Sequence, residues 1–306
     1  MRITLIHNPG AGSRNADGDE LLELLDGEGH EVRVQSADDD GWDKALSWPA
    51  DWVAVAGGDG TVARVAKAMV GHGIPLAPLP AGTANNIARS LGLVDRPWEE
   101  LIRGWPEARR VKLDVGVATG PWGKRYFVEG VGAGLFACLL SRSGSKRSAV
   151  KHKPPKERVA GALQRLETQA QACAPVEIRM SLDGKDLSGR YLLVEAINIP
   201  YVGPNLFLAP DSQPGDGTLE VVLVTEAERD RLKNYFARWQ ENRERLSVLP
   251  SHRGKHLRIE WSGYDLHIDD ELWPEEGNTS VPKPALIELE IGQASVEFLA
   301  PDPKNR

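Results

Sequence analysis

The chain has 306 residues, a length that suits two domains, and its 41% hydrophobic and 26% charged residues are typical of a globular protein. The net charge of −7 argues against a general nucleic-acid binder. No apolar run reaches the roughly 18 residues that a membrane helix needs. Two cysteines without a C-x-x-C spacing indicate neither a disulfide framework nor a zinc site. The apolar run at the start is too short for a secretory signal, so we expect a cytoplasmic location.

The first hundred residues alternate between strand and helix patterns. Strands are predicted over residues 2–6, 31–35, 52–56 and 75–80. Helical spacing of apolar residues follows over 19–26, after the glycine turn that begins at Gly57, and after Asn86. Repeated strand–loop–helix units predict an α/β domain with an open, largely parallel sheet.

The pattern changes after about residue 111, where short strands are separated by Gly, Pro and Asp turns. The predicted strands cover residues 111–118, 126–131, 176–182, 191–199, 219–225, 256–261, 265–268 and, at the end, 286–299. Helices are predicted over 156–172 and 227–246, and the apolar stripe of the second helix is expected to face the core. This spacing predicts a β-rich, antiparallel, sandwich-like second domain.

Three turns at the carboxyl ends of predicted parallel strands carry the informative residues. They span residues 8–12, 57–61 and 82–86. Ligands of open parallel sheets bind beyond the carboxyl ends of the strands, so these turns are expected to line one crevice. Glycine lets the backbone N–H groups approach phosphate oxygens, and helix N-termini favour an anion. The turns therefore predict a phosphate-binding site.

Other common nucleotide and hydrolase motifs do not match. Residues 10–15 lack the last glycine of G-x-G-x-x-G, and no G-x-x-x-x-G-K-[ST] string occurs. No G-x-S-x-G elbow is present, and the seven histidines show no zinc-ligand spacing.

Taken together, the motifs resemble those of the diacylglycerol kinase catalytic-domain family, which includes bacterial lipid kinases and sphingosine kinases. The matching strings run in family order along nearly the whole chain: Asn8-Pro9-x-Ala11-Gly12, Gly57-Gly58-Asp59-Gly60-Thr61, Gly82-Thr83-Ala84-Asn85-Asn86, Leu113-Asp114-Val115-Gly116, Gly130-Val131-Gly132, Leu208-Ala209-Pro210, Gly215-Asp216-Gly217 and Ile268-Asp269-Asp270-Glu271. The Gly-Gly-Asp-Gly-Thr string alone is shared with NAD kinases and phosphofructokinases, so it identifies only that wider superfamily.

The resemblance implies a nucleotide-binding domain over residues 1–121 with a C-terminal return over 293–306. It implies a β-rich lipid or substrate domain over 122–292 and an active site in the cleft between the two. The implied reaction is ATP- and Mg²⁺-dependent phosphorylation of a hydroxyl of diacylglycerol or a related lipid. Phosphoryl transfer needs bound phosphates, a metal that neutralises charge and a base for the acceptor proton.

The resemblance implies roles only for those residues of this sequence that match a family motif. Nucleotide contacts are implied for Asn8, Gly57, Gly58, Gly60, Thr61, Thr83 and Asn85. Asp59 and Asp114 are implied in an acidic network around metal and phosphate, with Asp269 as general base and Glu271 beside it. Asp216 is implied as a further metal ligand.

Three positions depart from the family pattern. Asn86 stands where the family usually has Asp, which removes a charge. Asp270 stands where the family has Gly, and Asp tolerates a positive φ better than most residues if that position needs one. Gly215 stands where many bacterial members have Asp, which puts a structural Mg²⁺ at Asp216 in question.

A basic segment over residues 142–165 contains eight Lys or Arg residues against one acid, Glu157. It is either a solvated face or a contact for an anionic membrane surface or a phosphorylated ligand. Peripheral contact at the inner membrane face and a homodimer are expectations, whereas a nucleic-acid partner is not expected. Two alternatives stay open: a soluble kinase of NAD or another small alcohol, and a non-catalytic module that binds nucleotide or lipid.

Overall fold

The computed structural model describes residues 1–11, 18–143, 154–241, 249–275 and 281–302. The N-terminal part is an α/β unit on four parallel strands in the spatial order β4–β3–β1–β2. These strands are β1 (Arg2–His7), β2 (Glu31–Ser36), β3 (Trp52–Gly57) and β4 (Leu76–Pro80). All six residues of β3 are buried, because both faces of a parallel sheet are covered.

Among the described residues of this α/β unit, four segments are α-helices. They are α1 (Gly18–Gly27), α2 (Asp59–Ala68), α3 (Asn86–Ser90) and α4 (Trp98–Gly104). Helix α2 starts directly after β3, and α3 follows the turn after β4. The chain therefore places two helix N-terminal ends at the same edge of the sheet.

The C-terminal part consists mainly of antiparallel strands. They are β5 (Arg109–Gly120), β6 (Gly123–Phe127), β7 (Gly130–Gly134), β8 (Val176–Leu182), β9 (Lys185–Asp186), β10 (Gly189–Ile197), β11 (Tyr201–Val202), β12 (Leu206–Phe207), β13 (Leu219–Thr225), β14 (Ser251–Gly254), β15 (His256–Trp261), β16 (Leu266–Ile268), β17 (Glu271–Trp273) and β18 (Ala285–Ala300). Its helices are α5 (Leu135–Ser143), α6 (Pro155–Ala172) and α7 (Arg229–Glu241).

The last strand connects the two parts. Strand β18 runs antiparallel to β5 and β15, and it pairs in parallel with β4 at Phe298 and Leu76. Val296 and Phe298 are buried in the same apolar cluster as the parallel strands. This is the pairing that the expected C-terminal return requires, while the boundaries at 121 and 293 remain a prediction.

Two further apolar clusters occupy the C-terminal part. One lies between β-strands of the sandwich, and the other lies between β10 and β13 and the helices α5, α6 and α7. The stripe of α7 contributes Leu232, Tyr235, Phe236 and Trp239 to this second cluster, so the expectation that it faces the core is confirmed.

The predicted fold class is confirmed, with differences at individual elements. The predicted strand over 126–131 is divided at Val128 and Glu129 into β6 and β7. Helices α4 and α5 were not predicted. The 286–299 region is a single long strand, because β5 pairs along most of it across a bulge. Residues 242–248 of the predicted second helix lie outside the described residues.

In the part of the chain that the structure describes, every helix is too short or too polar to cross a bilayer.

Candidate active site

The three predicted turns meet at the carboxyl edge of the parallel sheet. Asn8 Nδ2 donates a hydrogen bond of 3.0 Å to Thr61 Oγ1, which joins the turns after β1 and β3. The turns after β3 and β4 are in direct contact, since a Cβ on Gly82 would stand 2.4 Å from Gly58 Cα. Only glycine fits at this approach. The expected convergence of the three turns is therefore present.

Several of the predicted nucleotide-binding residues shape these turns. The Asn85 backbone has a φ of 54°, and its side chain bonds Gly82 twice: Oδ1 accepts from the N–H at 2.8 Å and Nδ2 donates to the carbonyl at 3.1 Å. Thr61 packs against Gly57, where a Cβ would stand 2.7 Å from the threonine Cβ. Their side chains thus hold the turns together.

A cavity of about 870 Å³ opens beside the turns. Predicted residues that line it are Asp59, Gly60, Thr83 and Asp269. Its polar end also contains Asn86, Glu129, Asp270 and His267. The predicted residues Asn8, Gly57, Gly58, Thr61 and Asn85 lie behind this lining.

Two carboxyl groups lie at the polar end, those of the half-buried Asp59 and the buried Glu129. Asp59 Oδ1 accepts a hydrogen bond of 3.0 Å from the Ile87 N–H, and burial raises the Asp59 pKa. Burial also raises the pKa of Glu129 well above its ordinary value, and the neighbouring carboxylates of Asp59 and Asp269 raise it further. The carboxyl groups of Asp59 and Glu129 therefore hold their protons more tightly than exposed carboxyl groups do.

Asn86 lies against Glu129. Its Nδ2 donates to Glu129 Oε2 at 3.0 Å and to the Gly203 carbonyl at 3.0 Å. Its Oδ1 is buried without a hydrogen-bond partner among the described residues. Asn86 therefore lines the cavity and has one buried oxygen without a partner among the described residues.

The Asp269 side chain holds the turn between β16 and β17 through several hydrogen bonds. Its Oδ1 accepts from the Val128, Glu129 and Gly130 N–H groups at 3.0, 2.8 and 3.3 Å, and Lys67 Nζ lies 3.1 Å from its Oδ2. The Asp269 side chain is only 2% exposed. Such a carboxylate, with its oxygens engaged by donors, fits a structural role better than the predicted role of general base.

The neighbouring Asp270 has the accessible carboxylate of this turn. Asp270 is exposed and lines the cavity, and its Oδ2 lies 3.3 Å from the point where a Cβ on Gly60 would stand. The residue of this turn with a positive φ is Asp269, at 52°, so position 270 does not need one.

Three predicted residues lie away from the cavity. Asp114 accepts a hydrogen bond of 2.7 Å from the Gly217 N–H; burial raises its pKa, and this hydrogen bond partly offsets the increase. Glu271 is exposed, with its Oε2 3.6 Å from Arg125 Nη1. Asp216, the third, lies in the turn beside Asp114. Asp114 contacts the turn at Gly217 and does not line the cavity that Asp59 lines, so the implied network of Asp59 with Asp114 stays a prediction.

Asp216 does not resemble a metal ligand. Its Oδ1 accepts from the Thr218 N–H at 2.9 Å, and its Oδ2 pairs with Arg253. Within the described ranges, no group of three or more His, Cys, Asp or Glu side chains is arranged to hold a metal ion. The residues at this turn therefore do not fit the structural Mg²⁺ that the family pattern suggested.

The other end of the cavity is apolar. Its walls come from α5 and α6, through Phe136, Leu139, Leu140, Val159, Ala162 and Leu166. Two cations, Arg158 and Arg165, line the same cavity on α6. They belong to the basic segment 142–165, of which residues 144–153 lie outside the described residues.

The prediction missed Lys67, Glu129, Asp270 and His267. Glu129 had a visible signal, because it is a single acid within the apolar and glycine-rich string from Tyr126 to Val131. Lys67 had none, since a lysine near the end of an amphipathic helix is usually solvated.

Two family models match this sequence. The model described as "Diacylglycerol kinase catalytic domain" matches residues 2–118. The model described as "YegS C-terminal NAD kinase beta sandwich-like domain" matches residues 149–289.

Similar proteins agree with these matches. A "Diacylglycerol kinase" of Mycobacterium tuberculosis (strain ATCC 25618 / H37Rv) is 24% identical over 93% of this chain and 86% of its own length. A "Probable lipid kinase YegS-like" of Yersinia enterocolitica is 27% identical over 74% of this chain and 77% of its own length. A crystal structure of a diacylglycerol kinase from Bacillus anthracis str. Sterne covers 100% of this chain and 98% of its own, with a TM-score of 0.70 at 20% identity.

A yeast NADH kinase complexed with NADH has a TM-score of 0.53 at 11% identity, over 99% of this chain and 84% of its own. The likenesses to the Bacillus anthracis and the yeast structures concern the fold alone.

Proposed function

Because this chain belongs to the diacylglycerol kinase catalytic-domain family, we propose that it transfers the γ-phosphoryl group of ATP to a hydroxyl of diacylglycerol or a related lipid. One observation carries the proposal: a single cavity joins an acidic end beside glycine turns to an apolar end between α5 and α6. A kinase of a lipid alcohol needs both environments in one space, because phosphates bind at the first and acyl chains at the second.

The nucleotide occupies the end of the cavity formed by the glycine turns. The absence of side chains at Gly58 and Gly82 lets the turns after β3 and β4 pack directly against each other beside this end. The N-terminal end of α2 at Asp59 and Gly60 adds a partial positive charge. Thr83 offers a hydroxyl at the same place.

The residues at this end fit Mg²⁺ bound together with a nucleotide. Mg²⁺ prefers oxygen ligands and is usually held by one or two carboxylates with phosphates and water, so a three-carboxylate cage is not required. Asp59, which lines this end, would hold it together with phosphate oxygens and water. When bound, the ion neutralises the charge that develops on the transferred group.

Asp270 serves as the acceptor of the hydroxyl proton. The lipid oxygen bonds to the γ-phosphorus, the bond to the leaving ADP oxygen breaks, and the hydroxyl proton passes to the Asp270 carboxylate. Asp270 suits this step because it is exposed to the cavity, whereas the Asp269 carboxylate is engaged by backbone donors. Asp269 then holds the turn that presents Asp270.

The apolar end receives the acyl part of the lipid. Phe136, Leu139 and Leu166 form apolar walls at this end. Arg158 and Arg165 are suited to the anionic headgroups around a lipid that leaves the bilayer, because each cation near such a surface contributes about 1 kcal/mol. Peripheral docking brings the cavity to its substrate.

The test is transfer of labelled phosphate from ATP and Mg²⁺ into a total lipid extract, with NAD and other water-soluble alcohols in parallel. Label in the organic phase is expected, and the mass of the product identifies the acceptor. Label confined to the aqueous phase would support the small-alcohol kinase instead. ATP binding without transfer to any acceptor would support the non-catalytic module.

A further inference from the structure

A buried Glu–His pair lies beneath the turn that presents Asp270. His267 Nε2 lies 3.0 Å from both carboxylate oxygens of Glu195. Glu195 is fully buried and His267 is 3% exposed. Neither residue belongs to a matching string of the family, and the phosphoryl-transfer steps above do not use them.

The contact exists because of a glycine between the two strands that carry the pair. In the sheet, Gly132 of β7 pairs with Glu195 of β10 on one side and with His267 of β16 on the other. Directly paired residues direct their side chains to the same face, so Glu195 and His267 flank an empty position. A Cβ on Gly132 would stand 2.2 Å from Glu195 Oε1. The glycine thus lets the carboxylate reach across a strand to the imidazole.

The surroundings determine the tautomer of His267. Its Nδ1 lies 2.9 Å from the Asp269 carbonyl oxygen, which can only accept a hydrogen bond. Nδ1 therefore carries a proton and donates it to this carbonyl. One further proton lies in the contact between His267 Nε2 and Glu195, where it is bonded either to Nε2 or to a carboxylate oxygen. The carboxylate keeps the imidazole oriented, as carboxylate partners of histidine do in many sites.

The hydrogen bond acts on the peptide group that links Asp269 to Asp270. This group is planar, so holding its carbonyl oxygen also sets the direction in which Asp270 leaves the turn. Asp269 is also held by its backbone N–H, which donates to the Gly130 carbonyl at 2.8 Å, and by its carboxylate, through the N–H groups of residues 128–130 and through Lys67. His267 adds a contact to the carbonyl oxygen, on the side of the residue that leads to Asp270.

We propose that Glu195 and His267 are positioning residues that hold the Asp269–Asp270 peptide so that the Asp270 carboxylate stays against Gly60 in the cavity. The expected effect on kcat rests on the proposed function, because it assumes that Asp270 serves in phosphoryl transfer. The expected effect on the conformation of the Asp269–Asp270 turn does not depend on that function.

Two substitutions of Glu195 separate positioning from packing. In Glu195→Gln, the amide N–H can donate to a neutral Nε2, which keeps the proton on Nδ1 and the bond to Asp269. In Glu195→Ala, the imidazole loses its partner. We expect kcat to stay within about threefold of wild type for Glu195→Gln and to fall at least tenfold for Glu195→Ala, with KM for ATP unchanged in both. Equal loss in both variants, or full activity in Glu195→Ala, would overturn the proposal.

Gly132→Ala provides a control for folding. The added methyl displaces the Glu195 carboxylate, so this variant should lower both the unfolding midpoint and kcat. In the Gly132→Ala/Glu195→Ala double variant the clash is removed. We expect the unfolding midpoint to recover relative to Gly132→Ala while kcat stays low. Recovery of kcat together with stability would show that the pair acts only through packing.

A measurement without turnover completes the test. In ¹⁵N spectra, the His267 imidazole should show a protonated Nδ1 in wild type and Glu195→Gln, and the Asp270 amide should shift only in Glu195→Ala. An unshifted Asp270 amide in Glu195→Ala would contradict positioning even if wild type phosphorylates no lipid. Absence of lipid phosphorylation by wild type, with the expected spectra, would contradict the proposed function alone.

Discussion

Lys67 Nζ lies 3.1 Å from Asp269 Oδ2, and this ion pair links helix α2 to the turn between β16 and β17. Helix α2 begins at the glycine turn, while the β16–β17 turn belongs to the antiparallel part of the fold. The Lys67 side chain is 22% exposed and that of Asp269 2%, so water screens the pair little. The pair thus fixes the distance between the glycine turn and Asp270.

Lys67→Met is predicted to destabilise the protein by about 1–3 kcal/mol, because it leaves a buried carboxylate without its cation. The three backbone N–H donors that remain keep the cost below that of removing every partner. Denaturant unfolding measures the difference. Lys67→Arg retains the charge and should cost less.

The matched control is Arg103→Met. Arg103 Nη2 also lies 3.1 Å from a carboxylate oxygen, that of Glu28, but the arginine side chain is 71% exposed. Exposed pairs contribute about 0–1 kcal/mol, so this variant should unfold almost like wild type. Equal costs for Lys67→Met and Arg103→Met would contradict the structural role given to the Lys67–Asp269 pair.

The two aspartates of the turn are predicted to respond differently to amide substitution. Asp269→Asn should lower the unfolding midpoint, because the amide keeps one acceptor oxygen and its NH₂ cannot accept, so either the Val128–Gly130 N–H groups or Lys67 loses its acceptor. Asp270→Asn should leave the midpoint unchanged and lower kcat by about 10²–10⁴-fold, the range expected for loss of a general base.

Kinetics and unfolding measured on the same preparations distinguish these roles. Should Asp270→Asn turn over at the wild-type rate while Asp269→Asn folds normally and is inactive, Asp269 is the base, as the family resemblance implies.

The sequence predicted the convergence of the glycine turns because it depends on local rules. Parallel strands end at one edge, and glycine there permits the contact between Gly58 and Gly82. The neighbourhood of the β16–β17 turn depends instead on strand register over long separations. Glu195 and His267 meet only because both pair with Gly132, and no local pattern encodes that register.

The roles within the Asp269–Asp270–Glu271 string depend on backbone direction for a related reason, and the role of Asp269 as general base stays a prediction. A two-residue turn between β16 and β17 directs three consecutive carboxylates into different surroundings: Asp269 to backbone donors, Asp270 to the cavity and Glu271 to Arg125. Residue type is the same or similar at all three positions, so only the backbone direction distinguishes them.

Glu129→Gln is predicted to stabilise the protein as pH rises. The pKa of Glu129 is raised in the folded state, chiefly by burial, so the folded protein binds this proton more tightly than the unfolded chain does. The stabilisation that wild type draws from this proton is complete below the ordinary glutamate pKa and is lost as pH rises through the raised value. Glutamine does not titrate, so Glu129→Gln does not lose this stabilisation as pH rises.

The measurement is thermal unfolding of wild type and Glu129→Gln between pH 4 and pH 8. The variant should gain relative to wild type with increasing pH, by roughly 2–4 °C for each kcal/mol. Glu177→Gln, at an exposed position of β8, is the control and should show no such trend. A pH-independent difference for Glu129→Gln would contradict the raised pKa.

Gly82→Ala is predicted to weaken ATP binding and to destabilise the protein by about 1–3 kcal/mol, the usual cost of overpacking. Its methyl would stand 2.4 Å from Gly58 Cα and 2.7 Å from Asn85 Oδ1, which forces two turns apart. Gly104→Ala is the control, since no atom lies within 4 Å of that position. Calorimetric titration with ATP and denaturant unfolding should distinguish the two variants; equal ATP affinity would place the nucleotide elsewhere.

The apolar end of the cavity can be tested by filling it. Ala162 lines the cavity from α6, whereas Ala160 lies exposed on the same helix. A tryptophan at Ala162 occupies space that the proposed function assigns to acyl chains. Ala162→Trp should therefore raise KM for a long-chain acceptor by about tenfold, which corresponds to about 1.4 kcal/mol. KM for ATP should change little, because the nucleotide binds at the opposite end.

Ala160→Trp adds the same side chain to solvent and should leave both constants near wild type. An acceptor with short acyl chains should be less affected by Ala162→Trp than a long-chain one, because it needs less of the apolar end. A long-chain KM that is unchanged in Ala162→Trp would show that the acyl chains do not enter between α5 and α6, and the acceptor would then reach Asp270 from the open side of the cavity.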